Sequence, residues 1–293
     1  MANQRDIKNR IKSVGNTKKI TSTMEMVAAA KMKKVQERLF QSKPYEIKVN
    51  EIISNLMAAG FSSIQHPLFR EVAQPSRTLV LQISGNRGLC GSYNSKVLEE
   101  TLEFKERLES EGKEAMMYVI GKKASSYYNF IKMPMHKFGL NLEDKFSFDD
   151  ATNLSDELTK LFTSGEVHEV YVSYTKVFST SNQKPEVFKL LPIVPALEVD
   201  HDALPPASMD YIFEPNPEDI FSYILPLYLK VKIFTCFLEA SYSEQFARRV
   251  AMKNATDAAT EMIKELTITY NRVRQDKITT EISEIVGGAA ALE

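Results

Sequence analysis

The chain holds few of the residues from which reactive centres are built. Its 293 residues include two cysteines, Cys90 and Cys236, far apart in sequence. That excludes a disulfide framework and a cysteine metal cluster, and it fits a reducing compartment. The four histidines, His66, His136, His168 and His201, are scattered with no ligand spacing. No unbroken run of eighteen apolar residues occurs, so no segment is read as a membrane span. The start, MANQRDIKNR, lacks an apolar signal core and passes directly into helical pattern, so no targeting peptide is read. Net charge is −1, and bulk electrostatics select no partner. The expectation from these absences is a soluble, cytoplasmic chain with no metal and no cofactor.

What charge there is lies unevenly. Residues 1–50 carry 12 Lys and Arg against 4 Asp and Glu. A basic helix suits nucleic acid, an anionic membrane or an acidic protein collar, or it is a solvated face. Before Gly60 the segment has one proline, Pro44, and one glycine, Gly15. Apolar residues recur at helical spacing through Ile7, Ile11 and Val14, then Ile20, Met24 and Val27, then Ala28, Met32, Val35 and Leu39. This predicts a helix of roughly 80 Å at 1.5 Å per residue, with a coiled-coil seam broken by phase slips. A helix this long draws its stability from packing, so it requires a partner.

The partner lies at the other end. NPED at 216–219 reads as a helix start, with Asn216 as cap and Pro217 in the first turn. From there to Ala291 only Pro226 interrupts, where a kink is expected. Ile263, Leu266, Tyr270 and Val273 form a seam that Ile278, Ile282 and Ile285 resume. The two rods are expected to pair antiparallel.

Between them, RTLVLQIS, AMMYVIG, EVYVSYTKVF and KPEVFKLLPIV read as strands, and SKVLEETLEFKERLES, KKASSYYNFI and DATNLSDELTKLF as helices. Their alternation predicts an α/β sheet with parallel pairing. The first strand runs into SGNRGLCGSYN, whose glycines are spaced G-x-x-G-x-x-G. A dinucleotide fold needs G-x-G-x-x-G, and a P-loop needs G-x-x-x-x-G-K-[ST]. Neither fits, so Gly85, Gly88 and Gly91 are read as a tight turn with close backbone packing. Cys90 in that turn is read as a buried thiol rather than a nucleophile.

Three stretches taken together are specific: RIKSVGNTKKITSTMEMVAAAKMKK, SGNRGLCGSYN and MKNATDAATEMIKELTITYNRVRQDKITTEISEIVGGAAAL. In this order, and in a chain of this length, they resemble the gamma subunits of F-type ATP synthases from end to end. Asn86 stands where that family usually has aspartate. The resemblance implies an α/β protein made of a long antiparallel two-helix coiled coil and a central Rossmann-like α/β domain, divided as 1–60, 76–205 and 209–293. It implies a rotor stalk inside a ring of three alpha and three beta subunits, with the epsilon subunit and the membrane c ring at its foot. Such a stalk performs no chemistry, binds no nucleic acid or cofactor, and is held at the cytoplasmic face of a bacterial inner membrane only through the complex. The α/β segment has no inserted cysteine pair, so no thiol switch is expected.

Carried over by motif, contacts to the beta subunits fall on Met24 in TMEMVAAAK, Arg248 in SEQFARRVAM, and Gln275, Thr279 and Glu284 in RQDKITTEISEIV. Arg249, where the family has an apolar residue, leaves open which arginine makes the contact. Met24 on a helix seam is more often a core methionine than a contact. Contacts to epsilon and the c ring fall on Tyr211, Phe213 and Glu214 in DYIFEP, unless the aromatic pair closes the α/β domain. The end, IVGGAAALE, suits a tip in an apolar sleeve, or a terminus frayed at Gly287 and Gly288. The rival readings are a doubly wound enzyme, which ATP binding by the isolated chain reveals, and a nucleic-acid tether, which salt-dependent retention on DNA reveals.

Overall fold

A computed structural model describes residues 4–58, 66–139, 146–180, 182–193 and 217–290. Two long helices, α1 (Gln4–Ala58) and α5 (Pro217–Ala290), run through their internal prolines, Pro44 and Pro226. Between them lie β1 (Arg77–Ile83), α2 (Tyr93–Ser110), β2 (Glu114–Ile120), α3 (Lys122–Phe130), β3 (Lys137–Gly139), α4 (Phe148–Thr163), β4 (Glu169–Val177) and β5 (Gln183–Leu191). The chain forms two compact units, one of residues 1–30 and 248–293, the other Lys31–Ala247. The cap expected at Asn216 lies outside the described residues.

In the larger unit the strand order is β3-β2-β1-β4-β5, parallel except for β5, which runs antiparallel to β4. β1 is central and buried on both faces, which is why RTLVLQI reads as an apolar run rather than an alternation. Leu79, Leu81 and Ile83 face one core, shared with Leu154 and Leu158 of α4, Val49 and Ile53 of α1, and Phe221, Leu225 and Leu229 of α5. Val80 faces the other, with Val119 of β2, Leu108 of α2 and Tyr128 of α3. The predicted strands and helices of this region are all present. β3, three residues long, is too short to show a period. Within α5 an 18-residue window reaches a mean hydropathy of 1.5, apolar enough to cross a bilayer, and 44% of it is buried. Here that apolar surface packs on the sheet.

The same unit pairs α1 with α5 through a buried polar cluster. Glu46, 5% exposed, accepts from Lys43 (3.0 Å) on its own helix and from Lys232 (3.3 Å) on α5. Burial works against the Lys232 ammonium, but the acidic groups around it, Cys236 and Glu46 foremost, outweigh it and push its pKa up to about 12. Glu239, about two turns beyond Lys232, has its pKa raised by burial and accepts from Val177 N at 3.4 Å.

In the smaller unit the helices are antiparallel, with Thr21 and Thr256 hydroxyls 2.8 Å apart. Burial on α1 follows steps of four and three through Ile7, Ile11, Val14, Lys18, Thr21, Glu25 and Ala28, a heptad without a slip. The expected phase slip is therefore corrected. Polar side chains occupy the seam where it was inferred, and Ile20 (60%) and Val27 (50%) face outward. The seam on α5 runs through Met252, Ala259, Ile263, Leu266, Tyr270 and Val273 and stops. Thr21 opposite Thr256 places Gln4 opposite Val273, so later residues meet no described residue of α1. Ile278, Ile282 and Ile285, expected to resume the seam, are 43%, 56% and 72% exposed.

Two substitutions test this account. Replacing Glu46 by Gln leaves the partly buried Lys232 without its counter-charge, at a cost of about 1–3 kcal/mol in urea unfolding. Because the folded pKa of Lys232 is raised, its contribution is whole below pH 10.5 and is lost as pH rises through about 12. The stability gap between wild type and Glu46→Gln therefore narrows across that interval. At Gly121, with φ +104°, an added Cβ stands 2.2 Å from Ser84 O, whereas at Gly112, with φ +76°, it meets nothing. Gly121→Ala should lower the urea midpoint by several times the effect of Gly112→Ala, which pays only the left-handed penalty of about 1 kcal/mol.

Candidate functional site

β1 ends where the strand order reverses, between β2 and β4, the position at which doubly wound sheets bind ligands. Residues 84–92 occupy it, and their polar groups are turned inward. Gly85 N donates to Asn94 Oδ1 at 2.9 Å. Two first-turn amides of α3 are taken up as well: Lys122 N by Asn86 Oδ1 (3.0 Å) and Ala124 N by Ser84 Oγ (3.3 Å). Cys90 is buried, and its sulfur accepts from Asn94 Nδ2 at 3.1 Å. The cleft beside the loop, bounded by Arg38, Ser84, Tyr93, Phe146 and Glu244, has a volume of about 40 Å³. A pocket for a nucleotide-sized ligand measures roughly 300–1,000 Å³. The loop is a junction of β1, α2, α3 and α5. Among the described residues, no group of three or more His, Cys, Asp or Glu is placed to hold a metal.

The residues expected to meet the beta subunits lie in the smaller unit, and the structure sorts them. Gln275, Thr279 and Glu284 are fully on the outside of α5, beyond the end of the paired seam. At 3.6 residues per turn, Gln275 and Thr279 lie about 40° apart, and Glu284 lies about 180° from Gln275. The first two form one face, and Glu284 points the other way. Met24 is half-buried beside the seam. Arg248 is 7% exposed, on the seam side of α5, while Arg249 is exposed. Tyr211, Phe213 and Glu214 lie outside the described residues.

Sequence reasoning passed over a set of outward apolar residues on the same unit: Ile20, Met26 and Val27 on α1, and Met262, Ile268 and Val286 on α5. Ile20 and Val27, seven apart, were absorbed into the seam by the apolar pattern. The signal that separates them is the strict heptad from Ile7, which skips both. Beside them Lys8, Arg10, Lys12 and Lys19 are exposed, so the outward face of this part of α1 is basic with apolar inserts.

Comparison with known proteins gives this surface its context. A family model described as ATP synthase matches residues 3–292. An ATP synthase gamma chain from Leptospira biflexa is 42% identical over 293 residues, covering all of both chains. One from Dehalococcoides mccartyi is 42% identical over 294 residues, again covering all of both. Among solved structures, a chain of the Euglena gracilis mitochondrial ATP synthase has a TM-score of 0.68 at 19% identity, covering 99% of this chain and 94% of its own. A chain of the Tetrahymena thermophila mitochondrial central stalk and c-ring structure has a TM-score of 0.59 at 24% identity, covering 80% of this chain and 99% of its own. These two likenesses carry the fold, and the curated relatives carry the family: the chain belongs to the gamma chains of ATP synthase.

Proposed function

We propose that this chain is the central rotor stalk of an F-type ATP synthase, with no chemistry of its own. Its full-length identity to gamma chains carries the reading. The geometry supports it in one particular: the end of α5 from Arg274 to Gly287 is exposed on every side, with Ile278, Ile282, Ile285 and Val286 among its residues. A single helix, exposed all round and carrying these residues as one apolar stripe, suits an enclosing sleeve of alpha and beta subunits. In such a ring the stalk presents a different face to each beta subunit. Each face favours one nucleotide affinity, and nucleotide exchange in turn biases the stalk's angle. Residues 1–60 and 209–293 then act as the shaft and 76–205 as the domain at its foot, toward epsilon and the c ring. Ion-driven turning of that ring couples to ATP synthesis, and hydrolysis drives the reverse, at the cytoplasmic face of a bacterial inner membrane.

Within this reading, Gln275 and Thr279 meet one beta subunit and Glu284 another, since they occupy opposite faces. Tyr211, Phe213 and Glu214 remain the proposed contacts at the foot. Met24 and Arg248 meet the ring only at its inner rim, and Arg249, which turns away from the seam, reaches outward.

The direct test is reconstitution of the chain with alpha and beta subunits and ATP, with a bead held at a cysteine placed at exposed Ser126, because Cys90 is buried. Stepwise one-way turning is expected; a chain that stays out of the ring would end the proposal. In the same complex, Gln275→Ala with Thr279→Ala removes two neutral hydrogen-bonding groups worth about 1 kcal/mol each. ATP-driven turning should slow by roughly three- to thirtyfold. Arg249→Ala should slow turning while leaving the melting temperature of the free chain unchanged. Arg248→Ala should lower that melting temperature.

A further inference from the structure

We propose that the glycine loop at the end of β1 is an anion seat filled from within the chain, with the Glu244 carboxylate of α5 standing where a phosphate stands in dinucleotide-binding folds.

Three observations within the larger unit converge on it. The first is position: the loop lies at the reversal of strand order and leads into α2, the geometry that places phosphate at a helix N-terminus. The second is contact. A Cβ added at Gly85 stands 3.0 Å from Glu244 Cδ, 3.2 Å from one of its oxygens, and 3.0 Å from Asn94 Oδ1. Gly85 is the residue that lets a carboxylate approach this backbone so closely. The third is an unmatched helix end. α4 supplies its own negative charge, with a Ser147–Asp150 capping box and Asp149 in its first turn. α2 has no acidic residue in its first turn, and its N-cap Ser92 makes no side-chain bond to it. Tyr93, the first residue of α2, borders the same small cleft as Glu244, which is the acidic residue lining that cleft.

Arg38 borders that cleft too, its guanidinium bonded to the Phe146 carbonyl at 2.6 Å and lying over the Phe234 ring. A helix end and an arginine therefore border the same cleft as the Glu244 carboxylate. The spacing G-x-x-G-x-x-G departs from the nucleotide-binding patterns because the anion it receives is delivered by a helix of the same chain. Glu244 is a positioning residue, and what it positions is α5 against the α/β sheet. The inference holds whether or not the chain turns inside a ring.

The full-length chain is the material for the test, with inorganic phosphate as the probe and chloride at matched ionic strength as the control. Glu244→Ala empties the seat, and Glu244→Gln fills it with a neutral group of the same shape. Both variants should melt lower than wild type by about 2–6 °C, the range that a helix-end charge gives in a chain of this size. Millimolar phosphate should restore at least half of the loss in Glu244→Ala and should bind that variant in equilibrium dialysis. It should leave wild type and Glu244→Gln unmoved. Wild-type melting in both variants overturns the proposal. So does a loss in Glu244→Ala that phosphate does not relieve, because the side chain then acts by packing alone. If Glu244→Ala does not fold in chloride, refolding in phosphate decides: recovery there supports the seat, and failure in both salts overturns it.

Discussion

Everything in this chain depends on the burial of one narrow stripe along α1. A helix of 55 residues presents far more surface than its own hydrogen bonds can hold in order, so a second helix must cover its seam. α5 covers it in both units. In the smaller one the covering is done by Met252, Ala259 and the half-buried residues that follow; in the larger one it is joined by the sheet, which encloses α5 from the other side. The polar residues in the stripe have a part in this. A hydroxyl pair at Thr21 and Thr256, and a carboxylate between two ammonium groups at Glu46, each have a partner at one register only. Such groups at core positions fix alignment at some expense in stability.

The sequence is most legible where apolar residues alone mark burial. Ile7 and Ile11, Met32 and Val35 are read from period, Val80 and Val119 from short apolar runs, and the structure buries them or packs them beside the core. It is least legible where polar residues are buried or apolar ones are not. Thr21 and Glu46 look like surface residues in any hydropathy pattern, while Ile20 and Val27 look like core. The end of the seam at Val273 depends on where α1 begins, information some 270 positions away. No local window holds it.

The residues proposed to meet partners divide in the same way. The resemblance placed Gln275, Thr279 and Glu284 on a helix, and their exposure follows from the absence of an opposing turn of α1. It could not say that Arg248 turns into the seam while Arg249 turns out, because one residue is a 100° rotation on a helix and the motif contains both. The glycine loop raises a related difficulty. Its spacing excludes two familiar phosphate cradles, yet spacing is silent on what else lies against the backbone, which in this chain is a residue about 160 positions further on.

The pairing of α1 with α5 also sets a timetable. Ala58 closes α1, and Thr256, which faces Thr21, follows about 200 residues later. At a synthesis rate of 5–20 residues per second, α1 waits roughly 10–40 s for the helix that completes its core. Through that interval the N-terminal part of its stripe, from Ile7 to Ala28, is open to any other surface in the cell. The sheet in between is built mostly from neighbouring strand and helix pairs and is free to form first. The chain must therefore close from the middle outward, with its first helix among the last parts to become native.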